Sequence, residues 1–357
     1  MAVDAPDPPV FSASAPMAEK TSIASRYLVT GCAGFIAARV AQLLLADGHE
    51  VIGIDDLNDA YDPRLKRWRL AELESHPRFH FHLADIACAE AIESIFAGLV
   101  ESGPAISAVV NLAARAGVRA SLSNPHVYLR TNCEGTLNLL EGCRRHGVKK
   151  FVLASSSSLY GAQHPLPYRE DLDTSRPLTP YAASKKAAET LVYAYHYLYG
   201  IDVSILRYFT VYGPAGRPDM GIFRFIRWIA EEQPLRLFGD GRQQRDFTYV
   251  DDVARGTVAA LKPLGFEIIN LGGDQPTALV AVIDELGRLL GKEPHFQRQA
   301  AAPADAPATW ADVGKARSLL GWTPQVPLGE GLRRCVDWYL AHRELARSLD
   351  LGEGVNS

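Results

Sequence analysis

Tyr181 and Lys185 stand four residues apart in YAASK, a spacing that puts both side chains on one face of a helix, within reach of one ligand. A free phenol titrates near pH 10. A neighbouring ammonium and an oxidised nicotinamide both favour the phenolate, which lets a tyrosine work as a base near neutrality. The lysine can also hold the ribose beside that nicotinamide. Ser156 lies 25 residues upstream, inside ASSSSLYG and directly after the apolar run FVL. It is the hydroxyl best placed to share the proton of a substrate alcohol, so the three residues suit proton removal coupled to hydride transfer.

Such chemistry needs a dinucleotide, and TGCAGFIA at 30–37 supplies a place for one. Gly31 and Gly34 stand where the chain must turn sharply and let a pyrophosphate approach the backbone of Gly31, Ala33, Gly34, Phe35 and Ile36, at the N-terminus of a helix. Ala37 holds the third small position. Asp55 ends the next strand, where a carboxylate accepts ribose hydroxyls and repels a 2′-phosphate, favouring NAD over its phosphorylated form. Asp85 and Ile86 follow the third strand and frame the adenine, with a helix cap as the other reading of Asp85. Leu112, Ala113 and Ala114 line the cofactor after the fourth strand, and Tyr208 is placed with it. Asn132 either reaches the cofactor or is an ordinary polar helix residue.

The elements that must position these groups alternate regularly. Apolar runs at 26–30, 50–55, 79–85, 108–113, 150–155 and 203–209 are separated by amphipathic helical patterns, including a long one over 181–199. That alternation predicts an α/β fold, a Rossmann-type doubly wound parallel sheet covered on both faces. Beyond about 212 Pro and Gly clusters break the pattern, predicting a smaller C-terminal substrate-binding lobe. The chain divides into an N-terminal arm at 1–24, rich in Ala, Pro and Ser, an NAD-binding domain at 25–210, a lobe mainly at 211–345, and a tail at 346–357.

Bulk properties narrow the field. The chain has 357 residues, with 37 basic and 41 acidic residues well mixed for a net charge of −4, which gives no footprint for nucleic acid or an anionic membrane. No segment has the run of about 18 uncharged apolar residues that a membrane span needs. Five scattered cysteines show neither CxxC nor paired-His spacing, so neither a disulfide framework nor a metal site is expected, and a reducing cytoplasm is. Asp251-Asp252 is read as the cap of the helix VARGTVAAL rather than as a catalytic carboxylate pair.

Taken together, TGCAGFIA, ASSSSLYG, YAASK, LRYFTVYGPAGRPDM and RQQRDFTYVDD resemble the extended short-chain dehydrogenase/reductases that act on nucleotide sugars, from about Arg26 to Tyr339. Within that family GVRASLSNP, TVYGPAGRPDM and RDFTYVDD most resemble the UDP-glucuronate 4-epimerases. The resemblance implies tightly held NAD, a UDP-sugar in the C-terminal lobe, and a homodimer formed by helices near 124–146 and 181–199. Relatives that eliminate water carry an Asp-Glu pair where Ser157 and Ser158 stand, and the decarboxylases carry Glu in place of Ser158. Ser155 is then structural, Ser156 catalytic, and Ser157 and Ser158 neutral contacts to the sugar or its carboxylate.

By the same resemblance Arg217 clamps the uronate carboxylate, Thr210 donates to it, Arg245 pairs with the diphosphate, and Asp305 holds the uridine ribose. Two positions depart from the pattern: Ala302, where galactose-type relatives have Arg, and Asn111, where His is usual. The implied reaction is C4 epimerisation through a 4-keto sugar. A UDP-glucose/UDP-galactose 4-epimerase, a UDP-glucuronate decarboxylase or dehydratase, and an NAD-binding regulator without chemistry stay open as alternatives.

Overall fold

Runs rich in Val, Ile and Phe become strands here because helices cover both of their faces. The computed structural model describes residues 24–162, 164–300 and 306–352. The predicted N-terminal arm, apart from Ala24, and Asp305 lie outside them. The strands are β1 (Arg26–Thr30), β2 (Glu50–Asp55), β3 (Phe79–Leu83), β4 (Ile106–Asn111), β5 (Lys150–Ser156), β6 (Asp202–Tyr208), β7 (Thr210–Tyr212), β8 (Leu235–Phe238), β9 (Gln244–Tyr249), β10 (Phe266–Leu271), β11 (Pro276–Ala278) and β12 (Phe296–Gln299).

Seven of them form one sheet in the order β10-β6-β5-β4-β1-β2-β3, with every neighbouring pair parallel. Successive residues point to opposite faces. Val29, Val51, Val110 and Val152 therefore enter one core with Ala41 and Leu44 of the helix Phe35–Ala46, while Leu28, Ile52, Val109 and Phe151 enter another with Leu139 and Val192. The strand order reverses between β1 and β4, and an open α/β sheet offers its crevice for ligands beyond the carboxyl ends of strands at such a reversal.

The second lobe carries β7, β9 and β11 as one small sheet and β8 with β12 as another. Its core gathers Ile226, Trp228, Leu286 and Val336. Within 211–345 the chain does not stay in this lobe. The helix Val250–Ala259 packs back toward the first domain, where Asp251 pairs with Arg39 at 2.6 Å, and β10 then joins β6 at the edge of the large sheet. Asp251 and Asp252 do not cap that helix. It starts at Val250, and buried Asp252 accepts the backbone N–H groups of Gln325 and Val326, each at 3.0 Å.

The tail expected from 346 is corrected as well. Arg343–Ser348 is helical, and Leu349 and Leu351, 1% and 5% exposed, enter the core of the second lobe. Arg227 donates to the Leu349 carbonyl, and Arg224 donates to that of Leu351 at 2.6 Å. The short apolar content of LDL at 349–351 made no periodic signal, yet two guanidiniums and a core pocket hold it. Leu349→Ala is expected to cost about 2–4 kcal/mol, the range for emptying a buried Leu site, read as a lower urea midpoint at unchanged slope. Among the described residues no helix is long and apolar enough to cross a membrane.

Candidate active site

The carboxyl ends of β1 and β4 meet at the glycine turn. Gly31 has φ +70, and its N–H donates to the Ile54 carbonyl at 2.6 Å. A Cβ there would lie 2.8 Å from the Ala113 backbone, and one on Gly34 would lie 2.8 Å from the Gly31 carbonyl oxygen. Both positions therefore exclude any larger residue. Gly34 precedes the helix Phe35–Ala46 without a side-chain cap, so the first-turn amides face the cavity that Gly34, Phe35 and Ile36 line, the arrangement that receives a phosphate.

Asp55 lines the same cavity. Its carboxylate accepts from Ala33 N–H at 3.2 Å and Leu57 N–H at 2.8 Å. Burial raises its pKa, and Lys66 at 3.8 Å pulls it back. The residues present thus fit a dinucleotide: a backbone cradle that a Cβ would fill, an uncapped helix start, and a carboxylate for a ribose. Ala33 does not reach the wall. It is fully buried, with its N–H taken by Asp55 and its carbonyl by Arg69 at 3.1 Å.

Asp85, Ile86, Leu112, Ala113 and Ala114 all line the cavity. Asp85 does not cap the next helix, which starts at Ala89 after Cys88 without a side-chain cap; it accepts from Ala87 N–H at 2.9 Å and from Arg130 at 2.8 Å. Asn132 is buried behind the wall. Its side chain accepts from Arg115 N–H at 2.9 Å and donates to the Arg115 carbonyl at 3.0 Å and to Ser184 Oγ at 2.9 Å, so it fastens a loop to a helix. Tyr208 lines the cavity, but its hydroxyl is paired with Thr257 at 2.8 Å. Asn111 bonds Thr30 at 2.8 Å and Thr136 at 3.0 Å, a packing role in its unusual place.

The reacting end is built by the helix Pro180–Tyr199, which starts with Thr179 as N-cap and Pro180 in its first turn, the signals that stop it from running further back. Tyr181 consequently sits in the first turn and Lys185 one turn on. Lys185 Nζ donates to the Ala154 carbonyl at 2.8 Å, at the end of β5. Burial brings its pKa down to about 8. Burial pushes the Tyr181 phenol up, while the hydrogen bond with Ser156 and the charge of Arg217 pull it down. Tyr128 packs edge-on to Tyr181, with ring centroids 6.0 Å apart.

The four serines divide by direction. Ser155 donates to Glu189 at 2.7 Å, away from the cavity. Ser156 accepts from Ser158 N–H at 3.2 Å and Ser158 Oγ–H at 3.0 Å, which leaves its own proton for Tyr181 or a substrate oxygen. Ser157 and Ser158 line the cavity. Behind them Arg207 Nε and Nη2 grip Glu189 at 2.9 and 2.8 Å, both residues buried.

Thr210, Arg217 and Arg245 also reach the wall. Arg217 donates to both Asp219 oxygens at 3.0 and 2.6 Å and to the Ala116 carbonyl at 3.3 Å, and stands 5.1 Å from the Tyr61 ring centre. Arg245 donates to the carbonyls of Ala306 and Gln244, each at 2.8 Å. Tyr61, Lys66, Tyr128 and Asp219 belong to this cavity and were not found from the sequence. Asp219 had a signal, two residues after Arg217, whereas Tyr61 in an irregular segment and Tyr128 in the short helix Pro125–Leu129 are aromatics that no spacing distinguishes. The cavity holds about 1250 Å³, more than the roughly 300–1,000 Å³ of a usual single-ligand site, and suits two ligands meeting end to end.

The sequence matches the NAD dependent epimerase/dehydratase family over residues 27–272. A protein of Thermodesulfobacterium geofontis named UDP-glucuronate 4-epimerase is 56% identical over 324 residues, covering 90% of this chain and 98% of that one. The crystal structure of UDP-glucuronic acid 4-epimerase from Bacillus cereus, with UDP-glucuronic acid and NAD, is 38% identical with a TM-score of 0.83, covering 89% of this chain and 99% of that one. The UDP-glucose 4-epimerase of Thermotoga maritima with UDP-glucose is 30% identical with a TM-score of 0.80, at 89% and 99% coverage.

Proposed function

This chain belongs to the NAD dependent epimerase/dehydratase family, and from that premise we propose that it is an NAD-dependent enzyme interconverting UDP-glucuronate and UDP-galacturonate. One juxtaposition carries the reading. Ser156, Tyr181 and Lys185 share a cavity wall with Arg217, while the neighbouring positions 157 and 158 hold neutral serines. The related proteins from Thermodesulfobacterium and Bacillus support the same substrate.

NAD, when bound, supplies the acceptor and donor of the C4 hydride. Gly31, Gly34 and the helix start would hold its diphosphate, Asp55 its adenosine ribose, and Lys185 its other ribose. Tyr181 takes the proton of the C4 hydroxyl and returns it once the 4-keto sugar has presented its other face. Ser156 donates to the C4 oxygen, with Ser158 fixing its direction. A 4-keto uronate is a β-keto acid and loses carbon dioxide when its carboxylate bond aligns with the carbonyl π system. Arg217, its plane set by Asp219, clamps the carboxylate out of that alignment. Serine at 157 and 158 withholds the extra acid and base that elimination needs.

Purified protein is expected to convert UDP-glucuronate to UDP-galacturonate, resolved by chromatography, without carbon dioxide or added reductant. Arg217→Ala is expected to lose roughly 10- to 100-fold in kcat/KM on the uronate, the value of a charged hydrogen-bonded contact, with little change on UDP-glucose. Conversion of UDP-glucose alone would instead favour the galactose-type epimerase, the reading that suits a guanidinium already committed to Asp219.

The proposal includes a homodimer. Leu129, Tyr197 and Leu198 are 49%, 77% and 63% exposed on the helical segments 125–146 and 180–199, where a second copy would cover them. It also places the enzyme in the cytoplasm, where its five free cysteines stay thiols.

A further inference from the structure

We infer that Arg115 is a further ligand-binding residue of this cavity, supplying its guanidinium to a phosphate or carboxylate oxygen of a bound ligand. The inference rests on the epimerase reading for what the ligands are, and on charge accounting for the residue itself. Before any ligand arrives Arg217 already has the Asp219 carboxylate as partner, and Arg245 has two carbonyls. Arg119, Arg224 and Arg236 have partners too. Arg115 lines the cavity, yet no side-chain hydrogen bond or ion pair joins it to any of the described residues, and its Nε is buried without a partner. A buried guanidinium N–H left unpaired is costly. An anion arriving in the cavity removes that cost.

Its place is set by its backbone. Asn132 accepts from the Arg115 N–H and donates to the Arg115 carbonyl, and the same amide donates to Ser184, between Tyr181 and Lys185. Two residues earlier, Ala113 lies against Gly31. Arg115 is thus held between the phosphate-receiving turn and the proton-transfer residues. Burial pushes the Tyr128 phenol up, and the charges of Arg217 and Arg115 pull it down, which puts Arg115 near the ring that packs on Tyr181. The backbone at Arg115 is therefore in place before the ligand arrives, and only its side chain is left to order on binding. Three oxyanions can meet there: the dinucleotide diphosphate, the sugar-nucleotide diphosphate, and the uronate carboxylate.

The test compares Arg115→Gln and Arg115→Lys with the wild-type holoenzyme for retained NAD, for UDP binding by calorimetry, and for KM with UDP-glucuronate and UDP-glucose, alongside Tm. A loss of roughly 10- to 100-fold is expected in one of these for R115Q, with a smaller loss for R115K and Tm kept. Weaker NAD retention assigns the contact to the dinucleotide. Weaker binding of UDP and both sugar nucleotides assigns it to their diphosphate. A rise in KM for UDP-glucuronate alone assigns it to the carboxylate. The inference is overturned if R115Q leaves all ligand affinities within about twofold of wild type, or lowers Tm while R115K binds every ligand as wild type does. Should the wild type fail to turn over UDP-glucuronate, the activity reading falls, and NAD and UDP binding still decide Arg115.

Discussion

Tyr181→Phe is expected to lower kcat on UDP-glucuronate by about 10³-fold, within the range for removing a positioned acid-base group, while KM stays within about twofold, the pattern for an interaction made only in the transition state. Phenylalanine keeps the ring that packs edge-on to Tyr128, so folding and binding survive and only the proton carrier is lost. The hydroxyl of Ser156 cannot take over, because its partner Ser158 is itself neutral. Single-turnover conversion followed by chromatography measures the change. A drop below about tenfold would mean that another group moves the proton.

The pH profile follows from the neighbour. Burial brings Lys185 down to about 8, so its positive charge is present below that pH and is lost as pH rises through it. In the proposed mechanism that charge holds the nicotinamide ribose, so kcat/KM is expected to decline on the alkaline side of about pH 8. In Lys185→Arg the charge cannot titrate in this range. The alkaline decline should disappear, even though the longer guanidinium lowers the plateau.

These two residues were legible because the information that places them is local. A four-residue spacing, a Thr-Pro helix start and a glycine turn all act within one or two turns of chain. The seven-stranded sheet was equally legible up to β6, since each strand follows its helix. What failed to show in the sequence depends on distant segments. The return of β10 to β6 follows a helix that crosses from the second lobe. Leu349 and Leu351 are buried by residues more than a hundred positions away. Ala33 and Asn132 were assigned to the cofactor from their neighbours, but the side to which an amide points is decided by Asp55 and by Arg115. Arg217 was found without its partner Asp219, since a resemblance marks a charge but not what neutralises it. Asp305, expected to hold the uridine ribose, and Ala302, which departs from the Arg of galactose-type relatives, lie outside the described residues.

Glu189 belongs to the group that no motif signals, and replacing it should have the largest effect on stability. Its carboxylate receives Arg207 through two nitrogens and Ser155 through one hydroxyl, all three residues buried. Glu189→Ala leaves the Arg207 guanidinium buried with no carboxylate, beside the Glu170 carbonyl and Thr174, both at 3.4 Å, and the Tyr160 ring, 4.9 Å to its centre, and a buried ion pair broken from one side costs about 3–5 kcal/mol. Replacing both partners by apolar residues removes the stranded charge, so E189L with R207M is expected to be more stable than E189A in urea unfolding. The same carboxylate reaches the chemistry. Glu189 lies one turn beyond Lys185 on the helix that carries Tyr181, and its negative charge raises the Lys185 pKa against the burial that lowers it. Glu189→Gln, which keeps the volume and one acceptor for Ser155, should therefore shift the alkaline decline of kcat/KM to lower pH. A structural role alone would lower stability and leave that limb in place, so the two measurements separate holding the strand end from setting the charge beside the phenol.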